Sequence, residues 1–149
     1  MSPGPITVEF DVADAVPIDG RHRVSTWVFP PPSPPENVPV LFCLPGGSYS
    51  KAYWHLEVPG HPGYSFAEHM AAQGMLVIAV DHLGTGESTR EARAIDLTPA
   101  VVAAANAAVW TEVLARVGDG SLVDGVGGLS ARCRVTGRGP SAGRPPRPG

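Results

Sequence analysis

The sequence predicts a mixed α/β domain in which two antiparallel strands precede a parallel strand–helix–strand unit. Three observations carry that prediction. Two early segments are alternating or β-branched, two later ones are continuous apolar runs, and helix caps with helically spaced apolar residues follow each run. Continuous apolar runs suit strands covered on both faces, as in a parallel sheet flanked by helices.

The elements follow in order. Ile6 to Val12 reads I-T-V-E-F-D-V and alternates strictly, the pattern of a half-buried strand. Arg23 to Phe29, R-V-S-T-W-V-F, is a second strand expected to pair with the first, and Asp19-Gly20 between them signals a turn. Pro30 to Pro39 cannot enter a ladder and reads as a stiff surface connection. Val40 to Leu44 (V-L-F-C-L) and Met75 to Val80 (M-L-V-I-A-V) are the buried strands. Between them Ser65 and Glu68 form a capping-box pattern, Phe66 and Met70 lie one turn apart, and Gly74 closes a helix. Phe66 is expected in the core. Thr98-Pro99 opens a longer helix with Val101, Ala105, Val109, Val113 and Val117 on one face, ended by Gly118. A crossover helix requires a parallel, right-handed connection, so 40–44 and 75–80 should lie side by side with 98–117 packed across them.

Composition excludes several classes. At 43% apolar and 17% charged residues, 149 residues can bury one core. A net charge of −3 gives no case for nucleic acid. The sole lysine, Lys51, does not sit in a G-x-x-x-x-G-K-[ST] loop, which excludes a Walker-type nucleotide site. Cys43 and Cys133 make neither a disulfide framework nor a zinc knuckle. Residues 1–10 hold Pro3, Pro5 and Glu9 and no basic apolar leader, and the longest aliphatic run, 75–80, is far below a membrane span. The expectation is a cytoplasmic protein with neither nucleic-acid nor membrane partners.

The chain changes character near its end. All 14 acidic residues precede residue 130, whereas Arg132, Arg134, Arg138, Arg144 and Arg147 follow it among glycines and prolines. The sequence therefore divides into a domain over 1–130 and an Arg/Pro/Gly-rich tail over 131–149. Such a tail buries too little apolar surface to offset its ordering entropy and is expected either disordered or read out of frame from G+C-rich DNA. Pro145-Pro146-Arg147-Pro148 also fits the P-x-x-P pattern of a polyproline ligand.

Ligands of open α/β sheets bind beyond the carboxyl ends of strands, so two loops draw the attention. The first is Leu44-Pro45-Gly46-Gly47-Ser48-Tyr49-Ser50, whose adjacent glycines can turn sharply and present N–H groups. The second is Asp81-His82-Leu83-Gly84-Thr85-Gly86-Glu87-Ser88, which lacks the third glycine of a dinucleotide loop. In this order, over about residues 6–130, the two loops and their strands resemble the α/β-hydrolase fold superfamily of esterases and lipases. The resemblance implies a partial α/β-hydrolase-type sheet, hydrolysis of an ester or related acyl bond by a serine, and no cofactor or metal. It gives an oxyanion-donor role to Gly46, Gly47 and Ser48, and to Ala142 in the elbow.

Gly139-Pro140-Ser141-Ala142-Gly143 matches the G-x-S-x-G elbow and makes Ser141 the candidate nucleophile. The family order then places the acid and histidine after the serine, yet no Asp, Glu or His follows Ser141. Arg134 and Arg138 would charge a strand that is buried in the family, and Arg-Pro-Pro-Arg-Pro-Gly cannot form the elbow's helix. The sequence thus predicts a truncated hydrolase-like chain that shows no esterase turnover above background on short activated esters and no change on Ser141→Ala, self-associating through an exposed sheet edge. A small-molecule acyl substrate or ligand is the expected partner. An alternative is a non-catalytic binding protein using Tyr49, Tyr53 and Trp54 as an apolar wall. Gly137 to Ala142 also fits G-x-G-x-x-A, but no helix or acidic residue follows as a nucleotide site needs.

Overall fold

The computed structural model describes residues 4–90 and 92–126. Strand β1 (Ile6–Asp11) pairs antiparallel with β2 (Arg23–Phe29), from Ile6 opposite Val28 to Asp11 opposite Arg23. Strand β3 (Val40–Cys43) pairs parallel with β4 (Leu76–Val80), from Val40 opposite Leu76 to Cys43 opposite Ala79. Both pairings and their senses are those expected. The sheet closes into the order β1-β2-β4-β3 because β2 also pairs antiparallel with β4, Thr26 facing Val80. No local period encodes that junction. It shows in β2 as Val24, Ser25, Thr26, Val28 and Phe29 all buried, the mark of an interior strand.

Burial of β4 on both faces has a direct cause. Leu76, Ile78 and Val80 pack on one side and Val77 and Ala79 on the other, so a period of two with both faces apolar reads as an unbroken run. Helix α1 (Phe66–Ala72) is the crossover between β3 and β4, and Ser65 caps it by accepting from the Glu68 N–H at 3.1 Å. Its Ala67 and Ala71 join Phe29, Cys43, Trp54, Val77 and Ala79 in the smaller core. Phe66 is not core: it is 43% exposed, and Trp54 fills the space beside it. The Phe66 ring instead lies beside Trp54, 5.4 Å between centroids, which the one-turn spacing to Met70 does not reveal.

Helix α2 (Pro99–Asp119) covers the other face, with Thr98 Oγ1 accepting from the Val101 N–H at 3.3 Å and Pro99 in the first turn. Val101, Ala105, Val109, Val113 and Val117 are all buried in the larger core with Phe10, Val24, Val28, Phe42, Leu76 and Ile78. The helix runs past Gly118. Gly120 ends it at φ 78°, a conformation that lets the Ser121 and Leu122 N–H groups bond back to the Arg116 carbonyl. By length and composition α2 is apolar enough to cross a membrane. Its valine stripe is spent on the sheet, as in the core helix of a globular domain.

Val109 is fully buried at the middle of that stripe, while Ala103 on the same helix is exposed. Val109→Ala is expected to cost about 2–3 kcal/mol from two lost methyls and the cavity left behind, with Ala103→Lys within about 0.5 kcal/mol, both read by urea unfolding.

Candidate functional site

β3 and β4 are parallel neighbours, so the loops leaving their carboxyl ends emerge side by side. In the first, the Gly46 carbonyl accepts from the Tyr49 N–H at 3.0 Å and closes a turn over Gly47-Ser48. Among the described residues the N–H groups of Gly46, Gly47 and Ser48 have no hydrogen-bond partner, and Gly47 and Ser48 are exposed. Neither glycine has a positive φ, and a Cβ at Gly47 would meet nothing. The backbone turn therefore does not demand glycine at 47. Bare backbone there instead leaves N–H groups open to close approach by a ligand oxygen.

The second loop is built around one carboxylate. Asp81 is fully buried at the end of β4. Its Oδ1 accepts from the Lys51 N–H at 2.7 Å, and its Oδ2 accepts from the Glu87 N–H at 2.9 Å and from Lys51 Nζ. Lys51 Nζ also donates to Glu87 Oε2 at 2.8 Å and lies 4.9 Å from the centroid of the Trp27 ring. The ammonium thus has an acceptor or a π face for each of its protons. Gly86, at φ 53°, wraps this carboxylate so closely that a Cβ would overlap it, and a Cβ at Gly84 would overlap Leu97. In the Asp-x-x-Gly-x-Gly pattern the second glycine is therefore set by the buried anion and the first by the packing of Leu97.

Two further ties fix the loops. His82 Nε2–H donates to the Pro45 carbonyl at 2.8 Å, and its Nδ1 accepts from Asn106 Nδ2 on α2 at 3.0 Å. A carbonyl only accepts, so the proton sits on Nε2 and the imidazole bridges the glycine loop to α2. Ser88 Oγ accepts from the Ser25 N–H at 2.9 Å and donates to the Asp81 carbonyl at 2.8 Å, stitching the end of the loop to β2.

Of the sequence-predicted site residues, Gly46, Gly47 and Ser48 are placed together on the exposed turn. Ser141 and Ala142 lie outside the described residues, as does the whole 139–143 elbow. Lys51 and Glu87 were not foreseen as partners of Asp81. The signal for Lys51 was its solitude: one lysine in the chain, just past the glycine loop, in a sequence otherwise served by arginine. Cys43, at the end of β3, has its thiol pushed up to about 12 by burial, so it is a neutral core side chain rather than a nucleophile.

No protein-family model and no curated protein matches the chain. Solved structures do. The chain is similar to a thioesterase domain from the curacin biosynthetic pathway, at 18% identity and a TM-score of 0.51. The match covers 74% of this chain and 32% of that domain, so the chain spans about a third of its neighbour's length. That likeness is one of fold, a mixed α/β sheet flanked by helices.

Replacing Lys51 by Met leaves the Asp81 carboxylate buried without its cation and is expected to cost about 3–5 kcal/mol. Gly86→Ala is expected to destabilise by roughly 1–3 kcal/mol through clash and backbone strain, whereas Gly47→Ala stays within about 0.5 kcal/mol. Urea unfolding of the three variants checks the order.

Proposed function

We propose that the chain is a hydrolase-type α/β domain carrying the oxyanion loop of a serine acyl hydrolase for an ester or related acyl bond. The observation that supports it is the pairing of an open glycine turn with a carboxylate-clamped loop beyond two parallel strands. In such chemistry a serine oxygen attacks the acyl carbon while backbone N–H groups hold the oxyanion. Gly46, Gly47 and Ser48 would supply one donor and Ala142 the other.

The same proposal has Ser141 inactive in this chain and residues 131–149 read out of frame. The abrupt switch to arginine, glycine and proline after residue 130 supports it. His82, the first upstream histidine to consider as a substitute base, has both ring nitrogens engaged. It cannot take a proton from a serine without releasing Asn106 or Pro45. Among the described residues the outer edge of β3 pairs with no strand, which suits a chain that associates with itself.

A second reading, a non-catalytic binding protein, is favoured by the aromatic wall beside the glycine turn. Tyr49 and Tyr53 are 60% and 50% exposed with ring centroids 5.5 Å apart, and Tyr53 continues onto the buried Trp54 at 5.1 Å. Both readings use the same loop to hold an acyl or apolar ligand, and catalysis separates them.

Hydrolysis of a short activated ester by the purified chain is expected to be unchanged by Ser141→Ala. The coding DNA past the Cys133 codon is expected to continue, in another frame, into an apolar strand, a G-x-S-x-G elbow and later Asp and His codons. Turnover that vanishes with Ser141 would overturn the inactive-serine proposal, and stop codons in both other frames would overturn the frame reading.

A further inference from the structure

A separate group of side chains lies away from the glycine loop, between the turn at Lys51–Trp54 and α1. His55 Nδ1 is 2.8 Å from Ser65 Oγ, and His55 Nε2 is 3.4 Å from Glu57 Oε1. Beside them opens a cleft of about 280 Å³ lined by Leu56, Glu57, Val58, His61, Ser65 and Glu68. In the tautomer with the ring proton on Nε2, the side on which Glu57 lies, Nδ1 presents its lone pair to Ser65. The Ser65 hydroxyl then donates to Nδ1. One of its two lone pairs takes the Glu68 N–H at 3.1 Å, and among the described residues the second lone pair has no partner. The ring is held in this orientation by aromatic walls: Trp27 meets it edge-on at 5.9 Å, Phe29 lies at 5.1 Å, and only 7% of its side chain is exposed.

We propose that Ser65 is a nucleophile, with His55 as its general base and Glu57 as the residue that positions His55, acting on a short acyl ester in this cleft. Ser65 Oγ bonds to the acyl carbonyl carbon as its proton passes to His55 Nδ1. The carbon–alkoxide bond then breaks, and the alcohol leaves with that proton. Water repeats the exchange: its proton goes to His55, its oxygen bonds to the acyl carbon, and Ser65 Oγ departs and recovers the proton. The Glu68 N–H bond to Oγ favours the developing alkoxide. Size and charge restrict the substrate. The cleft is at the small end of ligand sites, and Glu57 and Glu68 on its walls disfavour an anionic acyl group, which selects neutral or cationic esters. None of these residues belongs to the glycine loop, so the outcome here is independent of the function proposed above.

The test is covalent labelling of the full chain with a small neutral dialkyl fluorophosphate, in which the P–F bond breaks, the Oγ–P bond forms and fluoride leaves. Peptide mapping is expected to find one adduct, on Ser65, with a short acetate ester slowing its formation. Ser65→Asp keeps a capping oxygen for α1 and is expected to carry no adduct. His55→Gln is expected to slow labelling by about a hundredfold or more, the scale of a lost general base. Glu57→Gln, at a side chain 82% exposed and so harmless to the fold, is expected to give a smaller loss. Absence of a Ser65 adduct would overturn the proposal. So would labelling of Glu57→Gln at the wild-type rate, or equal labelling of Ser65 in urea-unfolded chain.

Discussion

The buried carboxylate of Asp81 is the constraint on which the rest of the functional end depends. A charge taken out of water is unfavourable by several kcal/mol unless it is paired and hydrogen-bonded, and here it receives two backbone N–H groups and an ammonium. Those donors come from different loops: Lys51 follows the glycine turn after β3, and Glu87 ends the loop after β4. Satisfying one anion therefore draws both loops to the same end of the sheet. The need for glycine at 86 is a consequence, because the chain must pass so near the carboxylate that no Cβ fits.

The scaffold beneath explains why the clamp can be placed there. β4 presents apolar side chains to α2 on one face and to α1 on the other. Its last residue, Val80, is fully buried, so the next side chain, Asp81, is the first polar group the strand delivers to its end. The parallel partner β3 ends at Cys43 opposite Ala79, and the turn that follows is held by the His82 bridge to Pro45 and by Asp81 through Lys51. The strand beneath the clamp, β4, is buried on both faces. The turn is open because, among the described residues, its own donors are left without partners.

Most of the scaffold was legible from local pattern. The alternation in 6–12, the continuous runs in 40–44 and 75–80, and the five-residue stripe of α2 each reflect which faces are covered, and burial writes that directly into sequence. The β2–β4 junction was not legible, since antiparallel pairing between residues about 50 apart leaves no periodic trace. Gly118 was a misleading stop because a helix tolerates an exposed glycine near its end, and the true terminator, Gly120, is set by the bonds to the Arg116 carbonyl. At the site, the glycine turn was found from its composition. The Lys51–Asp81–Glu87 cluster was not, because it joins residues from separate segments whose meeting only the folded chain creates, and the same holds for His55, Glu57 and Ser65.

The account's central claim is that Asp81 couples the two loops. Native-state hydrogen exchange of Asp81→Asn tests it most directly, because that change keeps the side chain's shape while removing its charge and an acceptor oxygen. The amides of Lys51 and Glu87 should exchange faster than in the unaltered chain by on the order of a hundredfold, the scale set by a lost bond to a charged group, while β1 and α2 keep their protection. Unchanged exchange at both Lys51 and Glu87, or an equal loss across β1 and α2, would contradict it.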